Sequence, residues 1–141
     1  MFTYTRKAQY HETDRMGVIH HSNFIKWMEE ARIAYMDSLG FGYARVEELG
    51  IVSPVAGLSI SYRDPVRFDD IVEISVSITR YSGVVQEVSY SIFDRTSGKL
   101  AAEASSKHCY LKDGRIISLK RELPELDAIF SAELVGQAAR N

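Results

Sequence analysis

Residues 10–40, YHETDRMGVIHHSNFIKWMEEARIAYMDSLG, decide the fold. In the second half Phe24, Trp27, Met28, Ala31, Tyr35 and Leu39 recur at three- and four-residue steps, which predicts a helix with one apolar face. Lys26, Glu29, Glu30, Arg32 and Asp37 fall away from that face. Ser22 or Asn23 can cap its start, because a short side-chain oxygen accepts from an orphan N–H of the first turn. Gly40 supplies a stop. Such a helix is roughly 25 Å long, enough to cross several strands. The first half is a polar loop carrying Glu12, Asp14, Gly17, His20 and His21. It brings a carboxylate just ahead of a helix N-terminus, where unpaired amides favour negative charge. A nucleophile or base beside such an end makes a plausible active site.

On either side of this stretch the period is two. Phe2, Tyr4 and Ala8 suggest a first strand over residues 2–9. After a short helical turn around Tyr43–Leu49, Ala56, Leu58, Ile60 and Tyr62 alternate with small residues. A turn at Arg63–Asp64–Pro65 follows, then Val72, Ile74, Val76 and Ile78, then Val88, Tyr90 and Ile92. A longer strand runs from about Leu100 to Leu111, and Asp113–Gly114 is a strong two-residue hairpin signal. These strands read as an antiparallel meander whose other face carries Ser59, Ser61, Ser75, Ser77, Ser89 and Ser91. Pro124 opens a C-terminal helix through about Phe130, and the last ten residues read as a fraying tail. The expected architecture is α+β: five or six antiparallel strands curled around one long central helix, in a single domain over residues 1–141.

Composition narrows the function. A net charge of −2 gives no basic field for nucleic acid. The apolar runs are too short to span a bilayer, and the first residues lack the apolar core of a signal peptide. The one cysteine, Cys109, excludes an internal disulfide and fits a cytoplasmic location. No Gly-x-Ser-x-Gly elbow is present. Cys109 and His108 are neighbours on a strand, so they point to opposite faces and do not form a nucleophile pair. His11, Glu12, Asp14, His20 and His21 match no standard zinc spacing, and no metal or cofactor is expected. Glu12 is either a second acid that tunes Asp14 or a solvated loop residue.

The stretch from Tyr10 through Asp14, Gly17 and His21 to Phe24 resembles the hotdog-fold thioesterases of the 4-hydroxybenzoyl-CoA thioesterase and YbgC-like type. The segment Pro65-Val-Arg-Phe-Asp69-Asp70 is similar to a second motif of that family. The element order agrees over about residues 2–125. The resemblance implies Asp14 as nucleophile or general base and the backbone N–H of His21 as oxyanion donor. It also implies a close turn at Gly17, an acyl-CoA substrate, and a homodimer or homotetramer with active sites at the dimer interface. Phe24 and Trp27 are candidates to line the acyl pocket because they lie near the helix start, although residues at this helical spacing are more often core. Arg63, Arg80 and Lys107 are candidates for the CoA phosphates. The competing readings are an acyl-carrier-protein thioesterase, a hotdog hydratase, whose Asp/His constellation is missing here, and a non-catalytic acyl-CoA-binding protein.

Overall fold

A computed structural model describes residues 2–140, with the side chains of residues 2–137. The order is β1 (Phe2–Lys7), a 3-10 turn (Tyr10–Glu12), α1 (Ser22–Ser38), α2 (Tyr43–Glu48), β2 (Ile51–Val52) and β3 (Val55–Tyr62). It continues with β4 (Ile71–Tyr81), β5 (Val85–Asp94), β6 (Lys99–Cys109), β7 (Leu111–Lys112), β8 (Arg115–Ile116), α3 (Leu119–Glu122) and α4 (Pro124–Arg140). Every pairing in the main sheet is antiparallel, and its spatial order is β1-β4-β5-β6-β3. This is the hotdog arrangement expected from the resemblance, with α1 as the filling.

The core shows why α1 is central. Trp27, Met28, Ala31, Tyr35 and Met36 of α1 are buried together with Val72, Ile74, Val76 and Ile78 of β4 and Val88, Tyr90 and Ile92 of β5. Each large apolar side chain so buried is worth about 1.5–3 kcal/mol, so the period-3.6 face and the period-2 faces stabilise each other. The other sheet face aligns serines in register, Ser75 with Ser91, Ser77 with Ser89, and Ser89 with Ser105. Asp113 and Gly114 both take positive φ, 52° and 76°, which a type I′ hairpin requires.

Four expectations are corrected. The strands are not a simple meander. β3 lies on the far edge beside β6, and residues 63–70 form a crossover rather than a tight turn. Alternation marks a strand but not its neighbours. Neither Ser22 nor Asn23 caps α1. His21 occupies the N-cap without a side-chain bond, Ser22 Oγ bonds His20 Nδ1, and Asn23 Nδ2 donates to the Glu12 carbonyl. Arg32 is buried, because its flank of the helix is covered where Ser53 accepts from Nη2 at 2.8 Å. α4 continues past Phe130 through residue 140. Tyr35 Oη donates to Glu133 Oε1 at 2.6 Å and Leu134 packs on the core, so tertiary contacts hold a segment whose composition alone is weak. No helix among the described residues is long and apolar enough to cross a membrane.

Candidate functional site

Loop and crossover meet at one end of the sheet. Ile19 N–H donates to the Val66 carbonyl at 2.8 Å, and Val18 bridges Arg67. Ala8 exchanges bonds with the crossover, donating to Asp70 O and accepting from Asp69 N–H. Arg63 N–H and Asp64 N–H both donate to the Ala101 carbonyl on β6. The loop is therefore fastened to β1 and the crossover, and through the crossover to β6.

Within it the chain turns back at Gly17, whose φ is +80°. Gly17 N–H donates to the Asp14 carbonyl, and Asp14 N–H donates to Val18 O at 2.8 Å. Asp14 Oδ1 accepts from Met16 N–H at 2.8 Å and Val18 N–H at 3.4 Å. Asp14 Oδ2 takes no hydrogen bond among the described residues. The carboxylate is thus aimed by two amides and keeps one oxygen open.

His20 N–H donates to Glu12 O, and Asn23 N–H donates to His20 O. Between them the His21 N–H finds no acceptor among the described residues. The His21 carbonyl accepts from Tyr62 Oη at 3.1 Å. The imidazole itself is exposed and stacks on His20 with ring centroids 4.2 Å apart. Asp14, His21, Phe24, Tyr62 and Arg63 line one cavity of about 260 Å³. Tyr62 meets the Phe24 ring edge-on at 5.3 Å, and burial raises its phenol pKa. Tyr62 escaped the sequence reading, since only its place at the end of an alternating strand was visible.

Glu12 is neither of the two things expected. It is 5% exposed, with Oε1 accepting from Gln9 N–H (2.8 Å) and Arg6 Nη2 (2.9 Å), and Oε2 from Trp27 Nε1 (2.8 Å). It ties β1, the loop and α1 together. That bond also corrects the reading of Trp27. Its indole is wholly buried under the Arg6 guanidinium, which lies 4.9 Å over the ring, so it offers no surface to a ligand. Arg80 lies outside the Asp14 cavity. It stands near the far end of β4, roughly 30 Å along the strand from Ile71, and pairs loosely with Glu87 at 3.9 Å. Lys107 lines a different hollow, beside Gly57 and Thr79. Arg63 is at the site and bonds Glu103 Oε2 at 2.8 Å. Among the described residues no group of three or more His, Cys, Asp or Glu is placed to hold a metal.

A carboxylate with one unbonded oxygen and an amide without an acceptor among the described residues, on residues that line one cavity, suit attack on a carbonyl whose oxygen becomes negative. Comparison with known proteins places the chain in a family. The family model described as "Thioesterase superfamily" matches residues 16–101. An Aquifex aeolicus (strain VF5) protein provisionally named an esterase is 33% identical over 125 residues, covering 89% of this chain and 96% of its own. A Bacillus subtilis (strain 168) protein provisionally named acyl-CoA thioesterase YneP is 33% identical over 121 residues, covering 84% and 87%. The crystal structure of a DHNA-CoA thioesterase from Staphylococcus aureus superposes with a TM-score of 0.94 at 32% identity, over 99% of this chain and 94% of that one.

Proposed function

The chain belongs to the thioesterase superfamily and is a thioester hydrolase, and from that premise we propose that it cleaves acyl-CoA with Asp14 as nucleophile or general base and the His21 amide as oxyanion donor. The observation that carries this reading is that Asp14, with one carboxylate oxygen unbonded, and His21, whose N–H has no acceptor among the described residues, line one cavity. In hydrolysis, Asp14 attacks the thioester carbon or takes a proton from the attacking water. Charge builds on the carbonyl oxygen as the bond forms, and the His21 N–H at the start of α1 meets it. CoA thiolate then leaves and takes up a proton; where Asp14 is the nucleophile, water next cleaves the acyl–Asp14 anhydride, releasing the free acid and restoring the carboxylate. Asp carboxylates are ordinarily ionised at neutral pH, so no partner base is needed. Gly17 lets the loop fold tightly enough for Met16 and Val18 to aim the carboxylate. Tyr62 holds the His21 carbonyl, in the peptide that follows the one carrying the His21 N–H, and so steadies the start of α1. Arg63 at the rim suits an anionic phosphate of CoA.

A second copy of the chain is part of this reading. β3 is an eight-residue edge strand with Val55 59% and Tyr62 47% exposed, an edge of the kind proteins cover or pair. Pairing two β3 strands would extend the sheet into a homodimer and wall the Asp14 cavity. The hydrolysis test is thiol release across an acyl-CoA panel, with wild type and Asp14→Asn side by side. Loss of thiol release in the variant supports the assignment, and equal rates refute it. Ester bound but returned intact by wild type would make the protein an acyl-CoA-binding member instead. Light scattering reads the dimer.

A further inference from the structure

A second cavity follows the first along the seam between α1 and β3. Phe24 and Tyr62 line the Asp14 cavity, while Met28, Arg32, Val55 and Leu58, from the same helix and strand, line the next one, of about 290 Å³. Its inner wall is polar and buried. Arg32 is 7% exposed, gives Nη2 to Ser53 Oγ, and leaves Nε without a partner. Among the described residues no carboxylate lies within ion-pair distance of it. Glu29 stands exposed at the margin. His108, 2% exposed, bonds Ser106 Oγ through Nε2 at 2.7 Å and has no partner at Nδ1. Ser106 Oγ in turn bonds Tyr90 Oη at 2.9 Å.

A buried cation without a counter-charge costs several kcal/mol unless an anion joins it. The catalytic reading makes no use of this one. The polar chain can also be oriented. With Tyr90 donating to Ser106 and Ser106 donating to Nε2, the imidazole proton sits on Nδ1 and becomes a further donor. Burial and the Arg32 charge hold His108 neutral, with its pKa lowered to about 3. The wall therefore presents donors and one positive charge behind an apolar approach made by Met28, Val55 and Leu58.

Resting on the thioesterase reading, we propose that this cavity receives a carboxylate at the far end of the acyl chain, so that ω-carboxyacyl thioesters are preferred substrates. Arg32 lies eight residues beyond Phe24 on α1, roughly 12 Å along the axis, so a medium-length chain is needed to join the two cavities.

The test compares 9-carboxynonanoyl-CoA with decanoyl-CoA. Wild type is expected to favour the carboxy ester by at least about tenfold in kcat/KM, since hydrogen bonds to charged groups are the strong ones. Arg32→Met should collapse the ratio toward one, and Arg32→Lys should keep part of it. Calorimetric binding of both esters to Asp14→Asn separates this claim from the catalytic one. Tighter binding of the carboxy ester without turnover by wild type would refute hydrolysis and leave the carboxylate site standing. A thermal-shift arm with free decanoate identifies the other source of the same group. If decanoate stabilises wild type but not Arg32→Met while the two esters react equally, the site takes free acids and the substrate claim fails. Equal ratios in wild type and Arg32→Met overturn the proposal. So does dissociation of an oligomer by Arg32→Met with no ester preference in wild type, which would assign Arg32 to a partner's carboxylate.

Discussion

Glu12 and Asp14 stand two residues apart in one loop and do opposite work. Glu12 has both oxygens bonded, to an amide, a guanidinium and an indole from three parts of the chain. Asp14 has one oxygen held by amides of its own turn and the other without a hydrogen bond among the described residues, and it lines a cavity. The acid with more partners is the structural one. A satisfied, buried carboxylate has little left to give a substrate, whereas one that is aimed but incomplete can still react.

Activity separates the two acids most sharply. Asp14→Asn should lower kcat/KM about 10²–10⁴-fold with little change in melting temperature, read by thiol release and by thermal unfolding. His21→Pro comes next. The His21 φ of −55° suits proline and its N–H has no acceptor among the described residues, so the substitution removes the proposed oxyanion donor without breaking a hydrogen bond seen there. It should cost about 10²–10³ in kcat. His21→Ala, which keeps the amide, should cost far less, and the reverse order would move the role to the imidazole.

Glu12→Gln should do the opposite of Asp14→Asn. Breaking a buried pair costs about 3–5 kcal/mol, so its midpoint in urea should fall steeply while kcat per folded molecule stays within a few-fold. A Glu12 variant that unfolds normally but loses activity would reverse the assignment of the two acids.

A gentler effect comes from pH. His108 titrates at about 3 in the folded chain, well below the ordinary 6.5, first because of burial and then because of Arg32. The unfolded chain therefore binds that proton more readily. The contribution is complete above pH 6.5 and is lost as pH falls toward 3, with a limiting slope of about 1.4 kcal/mol per pH unit. Denaturation midpoints across that window should show the slope, and His108→Gln should flatten it. Asp94 runs the other way, because burial and the neighbouring Asp70 raise its carboxyl pKa, so its contribution grows as the solution is acidified. Tyr62→Phe is the smallest, about 1 kcal/mol in ΔG‡ from one lost hydrogen bond, seen as a several-fold drop in kcat/KM.

What the sequence showed of this molecule follows from the range of each interaction. The α1 face and the Asp113–Gly114 hairpin were legible because they are written within a few residues of themselves. The edge position of β3 was not, since Leu58 and Tyr62 alternate as an inner strand would. Glu12 was misread because its indole partner is fifteen residues away, and Arg32 because charge normally marks the outside. Asp14 and the His21 amide came from the resemblance rather than from spacing. Trp27 could not be placed without seeing which side of α1 the Arg6 guanidinium covers.

Ile19 and His20 donate to Val66 and Glu12, and Asn23 donates to His20, yet the His21 N–H between them has no acceptor among the described residues. In a nitrogen-labelled sample it should exchange its hydrogen with solvent far faster than Ile19 and His20. A thioester carbonyl seated against it should slow that exchange and move its resonance. A single backbone signal would then report substrate docking in real time, before any bond is broken.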